Sequence, residues 1–328
     1  MKKISVLGCG AWAISIANLV AEKNHSLYLW CHDKNIAEKI NNDKKHPLFE
    51  DIFIHPKTKA THDLDLACQE SEAIIIGVAS PFISIINQIS PEITAPFLLL
   101  SKGLLENNKH LLLSSYINEQ RPQNPLAILS GPNLASEINQ KKPAATVIAC
   151  KKENIAQQFQ MLLSNEKFRV YTSTDPIGVA LGGILKNIMA IAGGCVDGLN
   201  LGMNSKAALL SRALQEMARI GTSLGGKKTS FMGLSGLGDL IATANSPLSR
   251  NWKVGYAIAQ GQNFQDILKK TDSIAEGVKS CKLIFDHCQK ENLSAPITEQ
   301  LYLILYQNKA PKQAIKDLMQ RELKAEDS

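Results

Sequence analysis

The first half of the chain alternates between short apolar runs and segments whose apolar residues recur at helical spacing. The runs at 73–78 (AIIIGV) and 96–100 (PFLLL) are nearly continuous in apolar residues and are bounded by turn residues. Strands that are buried on both faces of a parallel sheet have this composition. We predict strands at 4–7, 26–30, 73–78, 96–100, 126–129, 144–149 and 168–172, with connecting helices at 12–22, 35–40, 81–88 and 111–118.

The second half has a different pattern, which begins after Asp175 and Pro176. Long stretches with a helical period replace the apolar runs, and strand signals almost vanish. We predict helices at 178–191, 205–224, 238–244, 276–291 and 298–306. A length of 328 residues fits two domains of about 150 residues each. The pattern therefore predicts a doubly wound α/β domain over 1–175 and an all-helical domain over 176–328.

Composition and charge narrow the classes of partner. Apolar residues make up 45% of the chain and charged residues 20%, as in ordinary soluble globular domains. The 36 Lys and Arg residues against 30 Asp and Glu residues give a net charge of +6, without a clustered basic stripe. We therefore expect anionic small molecules and no nucleic acid as partners. The apolar runs are shorter than a membrane span of about 18 residues, so we expect no membrane span.

The cysteines and histidines bear on redox compartment and metal binding. Seven cysteines are scattered along the chain without a C-x-x-C pair, and the seven histidines show no ligand-type clustering. This pattern argues against a disulfide framework and against a zinc site. We therefore expect a cytoplasmic protein that needs no metal.

A glycine-rich signature follows the first predicted strand and opens the first predicted helix. Its sequence, GCGAWA at 8–13, has the form G-x-G-x-x-A. The first glycine makes a tight turn, and the second lets backbone N–H groups approach a pyrophosphate. The third small residue allows close packing of helix on strand. In this context the signature predicts that the first domain binds a dinucleotide.

The end of the second predicted strand bears on the type of dinucleotide. Asp33 lies 20 residues beyond Ala13, where an acidic residue would hold the ribose 2′-OH of NAD. His32 and Lys34 beside it would instead suit the 2′-phosphate of NADP. A third interpretation, in which Asp33 only caps the following helix, is equally compatible with the sequence. The spacing leaves these alternatives open.

Polar residues follow three of the predicted parallel strands. Ser80 comes after the strand at 73–78, Lys102 after 96–100, and Asn133 after 126–129. Ligands of open α/β sheets bind beyond the carboxyl ends of the strands. Lys102 carries the charge at this edge, so it is a candidate for binding an anionic ligand, although lysines are also common on surfaces.

In the second domain, Lys186 stands in an apolar, glycine-rich helix. Ala190, Gly193 and Asp197 follow on the same helix face and leave little bulky cover beside the ammonium. Burial there would lower the lysine pKa toward the range useful for general acid–base catalysis. The alternative is a lysine that extends its ammonium to solvent at an interface.

Two later segments add polar groups. Asp239 and Thr243 share one helix face because they are four residues apart, although Asp239 could equally just start the helix. Ser249, Arg250 and Asn251 then present a hydroxyl, a guanidinium and an amide in one turn. This trio suits a phosphate, because arginine can bind two oxygens at once. An N-cap beside a solvated arginine is compatible with the same residues.

With these residues assembled, the sequence resembles the bacterial NAD(P)-dependent glycerol-3-phosphate dehydrogenases. The likeness covers nearly the whole chain, in ordered blocks that include 8–13, 101–103, 129–137, 182–191, 231–243 and 248–251. It implies a Rossmann-type N-terminal domain, an all-helical catalytic domain, and NADH or NADPH as cofactor. It also implies the reversible reduction of dihydroxyacetone phosphate to sn-glycerol 3-phosphate for glycerophospholipid synthesis, by a cytoplasmic homodimer.

The resemblance implies a role for each matched residue. Lys186 is expected to be the catalytic general acid toward the ketone oxygen, and the base in reverse. The residues that match substrate contacts are Lys102, Gly131, Asn133, Lys186, Asp239, Thr243, Ser249, Arg250 and Asn251. The residues that match cofactor contacts are Gly8, Gly10, Ala11, Trp12, His32, Lys102, Ala135, Arg250, Ile274 and Glu276. His32, rather than Asp33, fits a contact with a 2′-phosphate.

Several positions depart from the family pattern. Ala13 replaces the usual glycine, and Ala11 stands where serine is common, which removes one hydrogen bond to the pyrophosphate. Asn133 occupies a position that is usually serine or threonine, and its amide reaches differently from a hydroxyl. Ala244 and Asn245 also differ from the family's usual residues.

Two other functions fit parts of the sequence. A related two-domain β-hydroxyacid dehydrogenase would explain a dinucleotide domain and a catalytic lysine, but it would not need the phosphate trio at 249–251. A non-catalytic NAD(P)-sensing protein would need neither Lys186 nor Asp239. The sequence leaves open the preferred cofactor, the direction favoured in the cell, feedback regulation and the oligomeric state.

Overall fold

Among the described residues of the N-terminal half, eight strands form one mostly parallel sheet. The computed structural model describes residues 2–49, 52–106, 109–269, 275–323 and 325–326. The strands are β1 (Lys3–Leu7), β2 (Ser26–Trp30), β3 (Thr58–Thr61), β4 (Ala73–Ile76), β5 (Phe97–Leu99), β6 (Leu126–Ser130), β7 (Ala144–Ala149) and β8 (Phe168–Ser173). Their order is β3-β2-β1-β4-β5-β6-β7-β8, and β6 and β7 form the antiparallel pair.

Burial explains why most of these strands are readable in the sequence. Every residue of β4 and β5 is buried, so both strands are continuous apolar runs. The seven predicted strands and the doubly wound fold class are confirmed. The prediction omitted β3, whose sequence TKAT contains one apolar residue. Parallel backbone pairing with β2, in register Leu27↔Thr58, stabilises this strand although its sequence has no strand pattern.

Helices connect the strands of this sheet. They are α1 (Ala11–Glu22), α2 (Lys34–Asp43), α3 (Leu64–Cys68), α4 (Leu113–Gln120), α5 (Ala135–Asn139) and α6 (Glu153–Leu163). The predicted helix at 81–88 is instead part of a 3-10 helix, Ser80–Gln88. Its Pro81 lies in the first turn, where a missing N–H is tolerated.

The described part of the C-terminal half is helical, as predicted. Its helices are α7 (Pro176–Gly198), α8 (Gly202–Ser223), α9 (Lys228–Phe231), α10 (Asp239–Ala244), α11 (Arg250–Ala259), α12 (Phe264–Lys269), α13 (Glu276–Lys290), α14 (Pro296–Gln307) and α15 (Pro311–Met319). A π-helical turn, Leu234–Gly238, leads into α10. Two compact units, Met1–Ala180 and Leu181–Ser328, divide the chain. The predicted roles of domains 1–175 and 176–328 stay a prediction.

α7 is apolar along its whole length. Among the residues that the structure describes, α7 is the one helix whose length and composition would allow it to cross a membrane. Its most apolar 18-residue window has a mean hydropathy of 1.7. The sequence scan for apolar runs did not identify this stretch. Within the protein, 94% of that window is buried, as in the core helix of a globular domain. Length and composition alone are therefore weak evidence for a membrane span here.

Glycines on α7 let other elements of the C-terminal unit contact its backbone directly. A Cβ at Gly182 would lie 2.8 Å from the Ser235 carbonyl oxygen, and one at Gly194 would lie 2.1 Å from the Trp252 carbonyl oxygen. On α11, a Cβ at Gly255 would lie 1.9 Å from the Ile191 carbonyl oxygen. These close approaches fix the π-helical turn and α11 against α7, and both segments carry predicted site residues.

Candidate functional site

The glycine signature forms a tight turn between β1 and α1. Gly8 has φ +102°, and a Cβ there would lie 3.0 Å from the backbone of Gly77. Gly10 is the N-cap of α1 with extended backbone (φ −67°), and a Cβ there would meet nothing within 4 Å. Ala13 is buried, and a Cβ at Gly77 would lie 2.8 Å from its methyl, so α1 packs closely on the sheet here because residue 77 is a glycine. An uncapped helix N-terminus beside open space fits a pyrophosphate.

We expect Gly8→Ala and Gly10→Ala to separate folding from cofactor binding. Gly8→Ala meets both a strained φ and backbone at 3.0 Å, so the free energy of unfolding should fall by about 2 kcal/mol. Gly10→Ala adds a methyl to open space, so the free energy of unfolding should change by less than about 0.5 kcal/mol. Its methyl would project into the open space that the glycine signature predicts for the pyrophosphate, so the KM for the dinucleotide should rise about tenfold, which corresponds to about 1.4 kcal/mol.

Urea unfolding and initial-rate kinetics measure the two effects. Equal losses of stability in the two variants would contradict the assignment of the turn geometry. An unchanged KM for NADPH in Gly10→Ala would contradict the assignment of the open space to the pyrophosphate.

The first turn of α1 is linked to α5. The Ser15 hydroxyl donates to the Ala11 carbonyl at 2.8 Å and lies 3.4 Å from the Ala135 carbonyl, while the Asn139 amide donates to Ser15 at 2.8 Å. The structure thus brings two of the predicted cofactor residues, Ala11 and Ala135, to one place. In the same turn of α1, the indole N–H of Trp12 is buried and has no protein partner. An orphaned donor of this kind fits a site that a ligand completes.

At the end of β2, Asp33 caps the helix that follows. Asp33 is the N-cap of α2, and its carboxylate accepts from the Asn35 backbone N–H at 2.7 Å. His32 is exposed beside it, with its ring centroid 6.1 Å from that of Trp30. Of the other predicted cofactor residues, Lys102 follows β5, and Arg250, Ile274 and Glu276 belong to the C-terminal half. Ile274 lies outside the described residues, and Glu276 is the first residue of α13.

The carboxyl ends of β5 and β6 come together as predicted. The Lys102 ammonium donates to the Gly131 carbonyl at 3.2 Å. The Asn133 side chain instead contacts β7: its amide donates to the Ala145 carbonyl at 3.1 Å, and its carbonyl accepts from the Thr146 hydroxyl at 2.8 Å. Asn133 therefore holds the loop after β6 against β7, a contact that the sequence analysis did not anticipate.

Lys186, Asp239 and Thr243 form a buried cluster in the C-terminal unit. The Lys186 Nζ lies 2.8 Å from the Asp239 Oδ1 and 2.7 Å from the Thr243 Oγ1, and Thr243 donates to Asp239 at 3.1 Å. All three residues are buried, with 7% of Lys186 exposed. The alternatives of a solvent-directed lysine and of an aspartate that only starts a helix are therefore wrong. The carboxylate offsets the cost of burying the ammonium, and the two groups form a buried ion pair.

The backbone before α10 brings this cluster together. The π-helical turn Leu234–Gly238 packs so tightly that a Cβ at Gly236 would lie 2.0 Å from the Phe231 carbonyl oxygen. α10 follows directly, and its i, i+4 spacing places Asp239 and Thr243 on one face. A π-helical turn inside a helical segment often marks a functional site.

The residues 249–251 form the start of α11. Ser249 is its N-cap and accepts from the Trp252 N–H at 3.2 Å, while Arg250 is exposed. The capping interpretation therefore holds for Ser249. The Asn251 side-chain amide donates to Oδ1 of Asn187 at 2.8 Å, and the Asn251 Oδ1 accepts from the Gly277 N–H at 3.0 Å. α7, α11 and α13 thus meet at one buried asparagine.

The sequence analysis missed Asn187 and the buried Lys206. Asn187 directly follows Lys186, and a second polar residue in so apolar a helix was the available signal. Lys206 is 2% exposed and donates to the Gly193 carbonyl at 2.8 Å and to the Asp197 carboxylate at 2.5 Å. The Trp252 indole donates to the same carboxylate at 2.6 Å. Because Trp252 belongs to the first turn of α11, this network links α8 to the helix that carries Arg250.

No group of three or more His, Cys, Asp or Glu side chains is placed to hold a metal ion in the part of the chain that the structure describes. The parallel sheet, its glycine turn at the start of α1 and the buried lysine cluster of the helical unit are features of a two-domain, dinucleotide-dependent dehydrogenase.

Comparison with known proteins identifies the family. The model of the NAD-dependent glycerol-3-phosphate dehydrogenase N-terminus matches residues 3–156, and that of the C-terminus matches residues 175–316. A glycerol-3-phosphate dehydrogenase (NAD(P)+) of Trichormus variabilis is 42% identical over 98% of each chain. That of Syntrophotalea carbinolica is 38% identical over 98% of this chain and 99% of its own.

A solved structure shows the same relationship. The crystal structure of glycerol-3-phosphate dehydrogenase (gpsA) from Coxiella burnetii has a TM-score of 0.90 at 31% identity, over 98% of this chain and 99% of that chain. The chain belongs to the NAD-dependent glycerol-3-phosphate dehydrogenase family. The predictions of this family, of an oxidoreductase and of an NAD(P) cofactor are thereby confirmed.

Proposed function

We propose that the protein interconverts dihydroxyacetone phosphate and sn-glycerol 3-phosphate with NADPH or NADH, and that it supplies sn-glycerol 3-phosphate for glycerophospholipid synthesis. The observation that carries the proposal is the buried Lys186–Asp239–Thr243 cluster, with Nζ 2.8 Å from the carboxylate and 2.7 Å from the hydroxyl. The names of the relatives support the substrate. As the family resemblance implies, we also propose a cytoplasmic homodimer.

Lys186 is the proposed general acid. When bound, the reduced nicotinamide supplies the hydride to the C2 carbonyl carbon. Lys186 gives a proton to the carbonyl oxygen, on which negative charge develops, and it takes this proton back in the reverse direction. Asp239 and Thr243 both accept hydrogen bonds from the Lys186 ammonium, so that the proton donor is held in place before substrate binds. Burial of the cluster strengthens these interactions because little water competes for them.

The proposed pyrophosphate contacts belong to the turn between β1 and α1. Gly8, Gly10 and the backbone of Ala11 would hold the pyrophosphate, and the unpartnered Trp12 indole N–H would contact the ligand. His32 would contact a 2′-phosphate. The other proposed cofactor contacts are Lys102, Ala135, Arg250, Glu276 and Ile274, of which Ile274 lies outside the described residues.

The proposed substrate residues offer donors to an anion. Arg250 would bind the phosphate with its guanidinium, and Lys102 with Gly131 would contact the substrate beside the nicotinamide. Ser249 accepts a hydrogen bond as N-cap, so its hydroxyl hydrogen remains able to donate. The Asn133 amide donates one hydrogen to the Ala145 carbonyl, and its second hydrogen would donate to the substrate. Asn251 completes the set at the start of α11.

A spectrophotometric assay tests the proposal. Purified protein with dihydroxyacetone phosphate should oxidise NADPH or NADH, seen as loss of absorbance at 340 nm. A β-keto acid should not replace the substrate, because it lacks the phosphate dianion that the Arg250 guanidinium is proposed to bind. Absence of turnover with dihydroxyacetone phosphate, or a preference for the β-keto acid, would contradict the proposal. Parallel kinetics with both nucleotides then determine the preferred cofactor.

A further inference from the structure

Two cysteine side chains meet at the turn that holds the proposed pyrophosphate site. Cys9 stands between Gly8 and Gly10, and Cys31 directly follows β2. β1 and β2 pair in parallel with Leu7 opposite Trp30, and the Gly8 N–H donates to the Trp30 carbonyl at 3.0 Å, so the two chain segments leave the sheet side by side. The two thiols lie close enough to shift the pKa of each other, and the Cys31 thiol also lies 4.0 Å from the Leu29 carbonyl oxygen.

The two thiols differ in exposure and in acidity. Cys9 is partly exposed, whereas Cys31 is fully buried. The neighbouring Cys31 thiol lowers the pKa of Cys9, against burial and the Asp33 carboxylate, which raise it. The same contact, with burial, raises the pKa of Cys31. The thiolate is the form that reacts with oxidants, so Cys9 is the reactive member and Cys31 is the adjacent second thiol.

The other five cysteines lack this combination. Burial is the first cause that raises the pKa of each of them, and all five are buried: Cys68, Cys150, Cys195, Cys281 and Cys288. A low-pKa, accessible thiol next to a resolving thiol is the arrangement of redox-sensitive cysteines.

We propose that Cys9 and Cys31 form a reversible oxidation site, and that their disulfide lowers the affinity of the protein for its dinucleotide. The second part rests on the proposed function, because it takes the turn at Gly8 and Gly10 as the pyrophosphate site. Disulfides of intracellular proteins are commonly transient and redox-sensing, so the site is compatible with a reducing compartment.

The oxidant is hydrogen peroxide. The Cys9 thiolate attacks the peroxide O–O bond, which gives a sulfenic acid on Cys9 and releases hydroxide. The Cys31 thiol then attacks the Cys9 sulfur; the S–S bond forms, the S–OH bond breaks, and water leaves with the Cys31 proton. The peroxide gains two electrons, and the two thiols are oxidised to one disulfide. A dithiol reductant reverses the reaction by thiol–disulfide exchange.

The disulfide would change the turn because its geometry is narrow. The sulfurs must approach to about 2.05 Å, closer than two unbonded thiols, so Cys9 is drawn toward the end of β2. Gly8 packs at 3.0 Å against the backbone of Gly77 and has little freedom to follow. The displacement is therefore taken up by Gly10, the N-cap of α1, and it misdirects the N–H groups proposed to bind the pyrophosphate.

Peptide mapping and cofactor titration test the two parts separately. Full-length protein is treated with hydrogen peroxide, free thiols are alkylated, and peptides are mapped by mass spectrometry without reduction. We expect a linked Cys9–Cys31 peptide, an NADPH Kd at least tenfold higher by calorimetry, and recovery of both readings with dithiothreitol. NADPH present during the treatment should slow formation of the linked peptide.

Two cysteine variants control for chance oxidation. Cys31→Ala should abolish the linked peptide, whereas Cys68→Ala, which removes another buried thiol of the same unit, should retain it. Absence of the linked peptide while Cys9 is oxidised would overturn the proposal, and so would a complete disulfide with an unchanged Kd. Failure of the reduced protein to bind NADPH would contradict the proposed function, and the linked peptide then tests the oxidation site by itself.

Discussion

Replacement of Lys186 by methionine is expected to lower kcat for dihydroxyacetone phosphate reduction about 10³-fold, within the range of 10² to 10⁴ for loss of a general acid. Methionine preserves the buried volume but supplies no proton to the alkoxide. The KM for NADPH should change little, because the cluster of Lys186, Asp239 and Thr243 belongs to the proposed proton-transfer site. Initial rates at 340 nm measure both quantities.

Two further variants make this experiment decisive. Lys186→Met leaves the Asp239 carboxylate buried without its cation, a change that costs about 3–5 kcal/mol in comparable pairs. The double variant Lys186→Met/Asp239→Asn removes this charge and should be as inactive but more stable. Lys282→Met removes a lysine of the same unit that pairs with Asp286 on α13, outside this cluster; it should keep kcat within a few-fold of wild type. A near-normal kcat in folded Lys186→Met would reject the role of Lys186.

Arg250→Ala is expected to raise the KM for dihydroxyacetone phosphate about 10- to 100-fold, with a much smaller effect on kcat. Hydrogen bonds to charged groups contribute about 1.5–3 kcal/mol, and each 1.4 kcal/mol is a factor of ten. The guanidinium lies at the exposed start of α11, where the helix dipole also favours an anion. Because Arg250 is also a proposed cofactor contact, the KM for NADPH is measured in parallel.

Lys253→Ala is the matched control for Arg250→Ala. Lys253 is an exposed cation of the same helix, one turn further along, and has no proposed role at the site. Its removal should leave the KM for dihydroxyacetone phosphate unchanged within about twofold. If Arg250→Ala and Lys253→Ala have equal effects, or if Arg250→Ala leaves this KM unchanged, the phosphate is bound elsewhere.

Many elements of the fold could be predicted because burial and local pattern coincide in them. β4 and β5 are buried on both faces, so their sequences are continuous apolar runs. β3 and the short helix α5 lack such a pattern and depend on neighbours that are distant in the sequence. The helix predicted at 81–88 has the right apolar spacing but forms a tighter 3-10 helix.

The candidate site was predictable residue by residue but not as a network. Lys186, Asp239 and Thr243 each stand out in their segments, yet their contacts join residues up to 57 positions apart. Asn187 and Lys206 were missed because an amide or an ammonium in a helix carries no local sign of its partner. Asn133 was identified by position, and only the structure shows its contacts with β7.

The sequence by itself determined the alternation of buried strands and helices, the helical second half and the glycine turn, because each depends on local periodicity or on residues that are adjacent in the chain. Tertiary structure alone decided which polar side chains meet. The 2.8 Å ion pair of Lys186 with Asp239 requires a π-helical turn packed on Gly182 of α7. The contact of Cys9 with Cys31 requires the register of β1 on β2. Both depend on close backbone packing between distant segments, which hydrophobic periodicity does not encode.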